Sequence, residues 1–223
     1  MMRGVAAIIL VMVLGACGVL PQGRAPDRPR AGTAGIPPSL SRPDSGVCLA
    51  SLGTNGVSYA PLPDRYYAPG CQAVGSVRID RLAGDGGAGF ALSNLGPVAC
   101  PLAQAFAAWA RYGVDRAARQ MLGSGLARIE TMGSYSCRVV AGSQRLSAHS
   151  RAEAIDIGGF VLADGRRIGV KSGWSGASEQ ERAFLRTVHT SACKRFGTVL
   201  GPAYNAAHAD HLHVELGNGS FCR

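Results

Sequence analysis

Histidine is scarce in this 223-residue chain, with five in all, and several common chemical signatures are missing outright. No cysteine sits in a C-x-x-C pair, which disfavours zinc binding by paired thiols. No G-x-S-x-G nucleophile elbow is present. Lysine- or arginine-rich runs and aromatic stripes are absent, and with them the usual footprint of nucleic-acid binding, although the formal charge is +9. No internal repeat is visible.

What is present begins at the N-terminus, where Arg3 precedes an apolar run from Val5 to Ala16. Such a run is too short for a transmembrane helix, which needs about twenty residues, so residues 1–16 read as a signal peptide. The run closes on Leu14-Gly15-Ala16-Cys17, which resembles a bacterial lipoprotein box with cleavage before Cys17. Lipidated there, the protein is held at a membrane surface by acyl chains while its domain stays in water. Ordinary signal cleavage, with Cys17 discarded, is the alternative. Gly18 and not Asp follows the cysteine, and resemblance to bacterial lipoproteins then points to the outer membrane, on its periplasmic face. Residues 17–46 are rich in Pro, Gly, Arg and Ser and bury too little to offset their ordering entropy, so they read as a flexible, lipid-anchored tether. Residues 47–223 are about right for one domain with a sizeable core.

Of the seven cysteines, Cys17 is the expected lipidation site, which leaves Cys48, Cys71, Cys100, Cys137, Cys193 and Cys222. An even number with wide spacing in an exported chain reads as three structural disulfides. Their connectivity is open among fifteen possibilities.

From Cys48 to Pro97 short apolar stretches are broken by Gly and Pro, which predicts loops and one or two short strands. The run Gly84 to Gly89 lacks the strand–turn–helix context of a phosphate cradle and reads as a turn. Pro101 to Leu122 has helical periodicity, with Gly123 beyond its end and a break expected near Gly113 and Val114. Leu126 to Met132 is a strand. Ala154 to Leu162 and Arg166 to Val170 form a hairpin across Ala163-Asp164-Gly165. Glu179 to Phe196 is a second helix, and Thr198 to Leu200 and His211 to Leu216 are strands. The whole is an α+β fold, with a small antiparallel sheet flanked by helices and cross-linked by disulfides.

Four of the five histidines fall in two clusters. His149 precedes Asp156 by seven residues, and His208, His211 and His213 sit together near the C-terminus. Two imidazoles and a carboxylate, with a fourth position left to water, are the ligand set of a catalytic zinc site. Alternation along a strand turns His211, His213 and Glu215 to one face. Were their strand to lie beside Ala154–Phe160, Asp156 and His213 would meet, with the loop folding His149 over them. A Ser147/His149/Asp156 triad is a weaker reading, since residues two apart on a strand and no nucleophile elbow do not supply its geometry. His189, alone on the second helix, reads as a surface or packing residue.

The pattern Ser-x-His-x-x-x-x-Ala-x-Asp, followed by His-x-Asp-His-x-His, resembles the zinc-peptidase superfamily of D-Ala-D-Ala carboxypeptidases, vancomycin-resistance dipeptidases, murein endopeptidases and the hedgehog signalling domain. Within it, the chain resembles the bacterial extensin-like C-terminal family from about Cys48 to Cys222. Cys100-Pro101-Leu102-Ala103, Ser134-Tyr135-Ser136-Cys137-Arg138, Arg145-Leu146-Ser147-Ala148-His149, Asp164-Gly165-Arg166 and Val199-Leu200-Gly201-Pro202 carry that likeness. The resemblance implies that His149, Asp156 and His213 are zinc ligands. It implies that His211 is a base or transition-state stabiliser and that His208 is a further active-site histidine. Arg138 would steady a developing oxyanion, with Arg145 as the runner-up. Where the family has Gly-Asn between the His and Asp ligands, this chain has Ala152-Glu153. Alanine in a left-handed conformation would cost about 1–2 kcal/mol, and Glu153 would bring a new carboxylate near the metal.

The resemblance therefore implies a Zn2+-dependent hydrolase that cuts peptide bonds in peptidoglycan stems or cross-links at the cell envelope. The basic charge is compatible with such an acidic polymer. The alternative is a zinc-containing binding lipoprotein without turnover, as in hedgehog. Which bond is cut, D,D or L,D, is not written in the residues, and neither is the oligomeric state.

Overall fold

The computed structural model of the protein describes residues 44–176, 178–217 and 219–223. The signal peptide, Cys17 and most of the tether lie outside these residues.

The first helix, α1 (Asp44–Thr54), opens inside the stretch read as tether and turns Cys48 and Leu52 into the core. After it come β1 (Val57–Pro61), β2 (Arg65–Ala68), β3 (Cys71–Ala73), β4 (Ser76–Ala83), β5 (Gly89–Ser93) and β6 (Val98–Ala99). The segment expected to be mostly loop is thus mostly strand. Its strands are short, β2 is exposed along its whole length, and the core positions of β4 (Val77, Ile79 and Leu82) do not hold a strict period of two. The expected turn at Gly84–Gly89 links β4 to β5.

The helical segment Cys100–Leu122 is split near Gly113, as its composition predicts. It runs as α2 (Cys100–Trp109), a π-helical turn (Ala110–Asp115) and α3 (Arg116–Leu122), and ends on Gly123 at φ 73°. A Cβ at Gly113 would collide with Ser191 Oγ, so the glycine lets the neighbouring helix approach. Asp115, on the π turn, is fully buried. It accepts from the backbone N–H of Leu126 at 2.7 Å and of Asp85 at 2.8 Å, and from Arg119 Nε at 2.9 Å.

Next come β7 (Leu126–Gly133), β8 (Ala154–Leu162), β9 (Arg167–Gly169), α4 (Val170–Gly173), α5 (Glu179–Cys193), β10 (Thr198–Leu200), β11 (Leu212–Glu215) and β12 (Phe221–Cys222). Ser178 caps α5 by accepting from Glu181 N–H, and Phe184, Leu185, Val188 and Ala192 form its buried stripe. No helix among the described residues is long and apolar enough to cross a membrane.

The main sheet has ten strands in the order β1-β4-β5-β7-β8-β11-β10-β12, with β6 on β4 and β9 on β8. This corrects the expected small antiparallel sheet: it is larger, and β5–β7 and β10–β12 pair in parallel. The α+β class stands. One face carries Ile155, Ile157, Leu212 and Val214 into the core with the helices, and the alternate residues Asp156, His213 and Glu215 face the other way.

The six cysteines among the described residues are paired, as Cys48–Cys100, Cys71–Cys137 and Cys193–Cys222. Of these, Cys71–Cys137 ties the β2–β3 hairpin to the segment that leads to His149.

Candidate metal centre

The centre begins with a register. In the antiparallel pair β8–β11, His213 lies directly opposite Asp156, and His213 Nδ1 meets Asp156 Oδ1 at 2.8 Å. The third group comes from a 3-10 turn (Ala148–Arg151) at the start of β8, capped by Ser147, whose hydroxyl accepts from His149 N–H. His149 Nε2 lies 3.2 Å from Asp156 Oδ2 and 3.2 Å from His213 Nδ1. The three groups offer ligand atoms within 4.8 Å of one another.

The donor set fits a divalent cation. A tetrahedral ion with bonds of 2.0–2.2 Å separates its ligands by about 3.3 Å, a few tenths more than these contacts. The outer hydrogen bonds also set the tautomers. His149 donates Nδ1–H to the Ser134 carbonyl at 3.2 Å, which leaves the Nε2 lone pair facing inward. His213 turns Nε2 to Glu215 Oε2 at 3.5 Å, which leaves Nδ1 for the centre.

Charge is concentrated here. Burial pushes the Asp156 carboxyl up, but the imidazoles of His149 and His213 beside it outweigh burial and hold the group well below the usual range. Burial likewise disfavours charge on His213, yet Asp156 and Glu215 raise it to about 9. Two carboxylates that hold a proton this firmly will also favour a metal cation in its place.

His211 lies one residue before β11, and its Nε2 is 3.6 Å from Asp156 Oδ1. Its Nδ1–H is donated to Asp210 Oδ1 at 2.9 Å, which directs the Nε2 lone pair toward the centre. His208, on a 3-10 turn (Ala206–His208), packs against His211 with ring centroids 5.0 Å apart and edge-on to Tyr204 at 5.5 Å. Burial and the neighbouring His211 and His213 lower its pKa to about 4. It donates Nδ1–H to Asn205 Oδ1 at 2.7 Å, so its Nε2 is an acceptor.

Arg138 and Arg145 are exposed, at the two ends of a small hairpin bridged by Val139 and Leu146. The charge of Arg138 acts on His208 and that of Arg145 on Glu215. His149, Asp156, His213 and His211 are brought to one place, with His208 packed against His211.

Two details differ from expectation. Glu153 is not part of the centre: it pairs with Arg151 Nε at 2.7 Å, because three positions along the chain turn it away from Asp156. Ala152 does adopt the left-handed conformation, at φ 56° and ψ 29°, so the loop keeps its shape without the glycine.

Sequence reasoning missed the Ser134 carbonyl and the bond from His211 to Asp210. A backbone acceptor leaves no mark on composition. Asp210 was visible beside His211, but adjacency alone does not say which way a side chain turns. A second close group, His189, Cys193 and Cys222, has its two sulfurs joined in a disulfide, so no thiolates are on offer. His189 packs edge-on to Trp174 at 5.5 Å and donates to the Arg223 carbonyl at 3.1 Å, as a packing residue does.

No curated protein and no solved structure matches this chain. The sequence model of one family, described as extensin-like protein C-terminus, matches residues 46–223, the whole of the span that builds the sheet and the histidine–aspartate centre. The chain belongs to the extensin-like protein C-terminus family.

Proposed function

We propose that this protein is a zinc-dependent hydrolase of the zinc-peptidase superfamily, cutting peptide bonds in peptidoglycan stems or cross-links. The observation that carries the reading is His211. A site that only holds metal needs His149, Asp156 and His213, but here a third imidazole is fixed by Asp210 with its free nitrogen toward the same point.

A zinc ion bound at this centre would supply Lewis acidity, making water a nucleophile near neutral pH and polarising a carbonyl. His211 Nε2 accepts the proton of the attacking water and returns it to the leaving amine, while Asp210 holds Nδ1–H and stabilises the charged ring. Arg138, whose charge acts on His208, would steady the developing oxyanion. His208, neutral and with Nε2 as an acceptor, is suited to holding a substrate N–H, a positioning role.

For the second reading, a zinc-bearing binding module, the Ala152-Glu153 replacement is the one departure from the family pattern that could offer support. That support is weak once Ala152 holds the left-handed turn and Glu153 lies outside the centre. Export and a lipid anchor on Cys17 belong to the same proposal, and mass spectrometry of the membrane-extracted N-terminus tests them: a mature chain without acylated Cys17 overturns the anchor.

The test of function is incubation of the zinc-loaded protein with intact sacculi, followed by chromatography of the released muropeptides. Release by the wild type and its loss in His211→Ala at equal zinc content is the expected result. No release from any form of peptidoglycan overturns the hydrolase.

A further inference from the structure

A cleft of about 500 Å3 opens beside the centre. It is lined by Gly158 of β8, Met132 of β7, Lys171 of α4 and Asp210, among others. Three of its lining residues neighbour the centre in chain or register. Gly158 is two residues from Asp156 on β8, Met132 precedes Gly133, which pairs with Asp156, and Asp210 holds His211.

The charges lining the cleft are mostly satisfied. Arg167 Nε lies 2.6 Å from Glu130 Oε2, and Asp210 is engaged with His211. Lys171 is different. It is exposed, it lines the cleft, its charge is felt at Asp210, and among the described residues it makes no ion pair. The floor beside it is bare backbone at Gly158, and the wall is the half-exposed thioether of Met132. A cation in an open, partly apolar cleft matches a ligand that carries an anion. Asp210 and Glu130 lie close by, so a doubly charged phosphate meets repulsion that a single carboxylate largely avoids.

We propose that this cleft is a substrate subsite in which Lys171 pairs with a peptide carboxylate close to the bond placed at the metal. This rests on the peptide-hydrolase reading above and adds to it a substrate class: peptides carrying a free carboxylate near the scissile bond.

The test uses the zinc-loaded protein and a synthetic stem pentapeptide, N-acetyl-L-Ala-γ-D-Glu-L-Lys-D-Ala-D-Ala. Two further forms carry an amide at the C-terminus or at the D-Glu α-carboxyl. Affinity is measured by calorimetry with His211→Ala, which keeps the peptide intact, and with that protein further changed to Lys171→Ala or Lys171→Arg. One amidated form should bind about tenfold more weakly than the free acid. Lys171→Ala should weaken the free acid by the same factor and abolish the discrimination, and Lys171→Arg should restore most of it. Equal binding of all three peptides, no binding of any, or discrimination that survives Lys171→Ala overturns the subsite. Hydrolysis by the wild type is scored separately. Turnover without Lys171-dependent discrimination removes the subsite alone, and discrimination without turnover on any substrate removes the hydrolase while keeping the subsite.

Discussion

Asp156 Oδ1 and His213 Nδ1 face each other at 2.8 Å across the antiparallel pair of β8 and β11. Two ligands from opposed positions of neighbouring strands are held by the ladder itself, with no loop between them to move. His149 then closes the set from a short capped turn. This construction predicts a site largely formed before any metal arrives.

About one zinc per chain is therefore expected in the purified protein, and none in His149→Ala, Asp156→Ala or His213→Ala. Glu215→Gln keeps all three ligands but loses the carboxylate behind His213, and it should weaken zinc by about 10- to 100-fold. Competition against a chromophoric chelator measures both. Full occupancy in His213→Ala would sink the ligand assignment.

Zinc affinity should depend on pH in a defined direction. The proton on His213 leaves near pH 9, so below that pH a cation binding at Nδ1 must displace it. Affinity should climb by about tenfold per unit between about pH 6 and 8 and flatten above 9. The metal-free protein has the opposite trend. A raised histidine pKa gives stability that is complete below the unfolded value of about 6.5 and lost as pH rises through 9. A pH-independent chelator competition would contradict the proton on His213.

Replacing His211 by Ala should cost about 10²–10⁴-fold in turnover without loss of zinc. Asp210→Asn should fall between that variant and the wild type, since it disturbs the tautomer of His211 but leaves the ring in place. Rates measured at equal zinc content decide this. An Asp210→Asn protein with an unchanged rate and pH profile would remove Asp210 from the mechanism.

Far from the centre, Asp115→Ala should cost about 1–3 kcal/mol in chemical denaturation, because one buried and one half-buried N–H group lose their acceptor and the partly exposed Arg119 loses its partner. Folded Asp115→Ala protein should bind zinc as the wild type does. Loss of zinc binding in the folded variant would show a coupling this geometry does not predict.

Ala152→Gly should change stability by less than about 1 kcal/mol. Relief of the left-handed alanine gains about 1–2 kcal/mol, and loss of a buried methyl with the added chain entropy removes a similar amount. A large shift in the unfolding midpoint would show that one of these terms has been misjudged.

Where a residue pattern is tied to one local geometry, the sequence alone was informative. The alternation of Ala154–Leu162 with the turn at Asp164-Gly165 read as a hairpin, and Pro101, Gly113 and Gly123 marked the start, break and end of a helical stretch. His149, Asp156 and His213 were legible as one set because histidine is rare here and strand periodicity fixes which side chains share a face. The strands before Cys100 were not legible. They are too short or too exposed to carry a hydrophobic period, and their place in a ten-stranded sheet comes from partners distant in the chain. The pairing of the six cysteines, the turning of Glu153 away to Arg151, the bond from Asp210 to His211 and the lone Lys171 in its cleft were decided by tertiary structure. A strand's period determines the face a side chain takes, but which group meets it there depends on how segments far apart in sequence pack together.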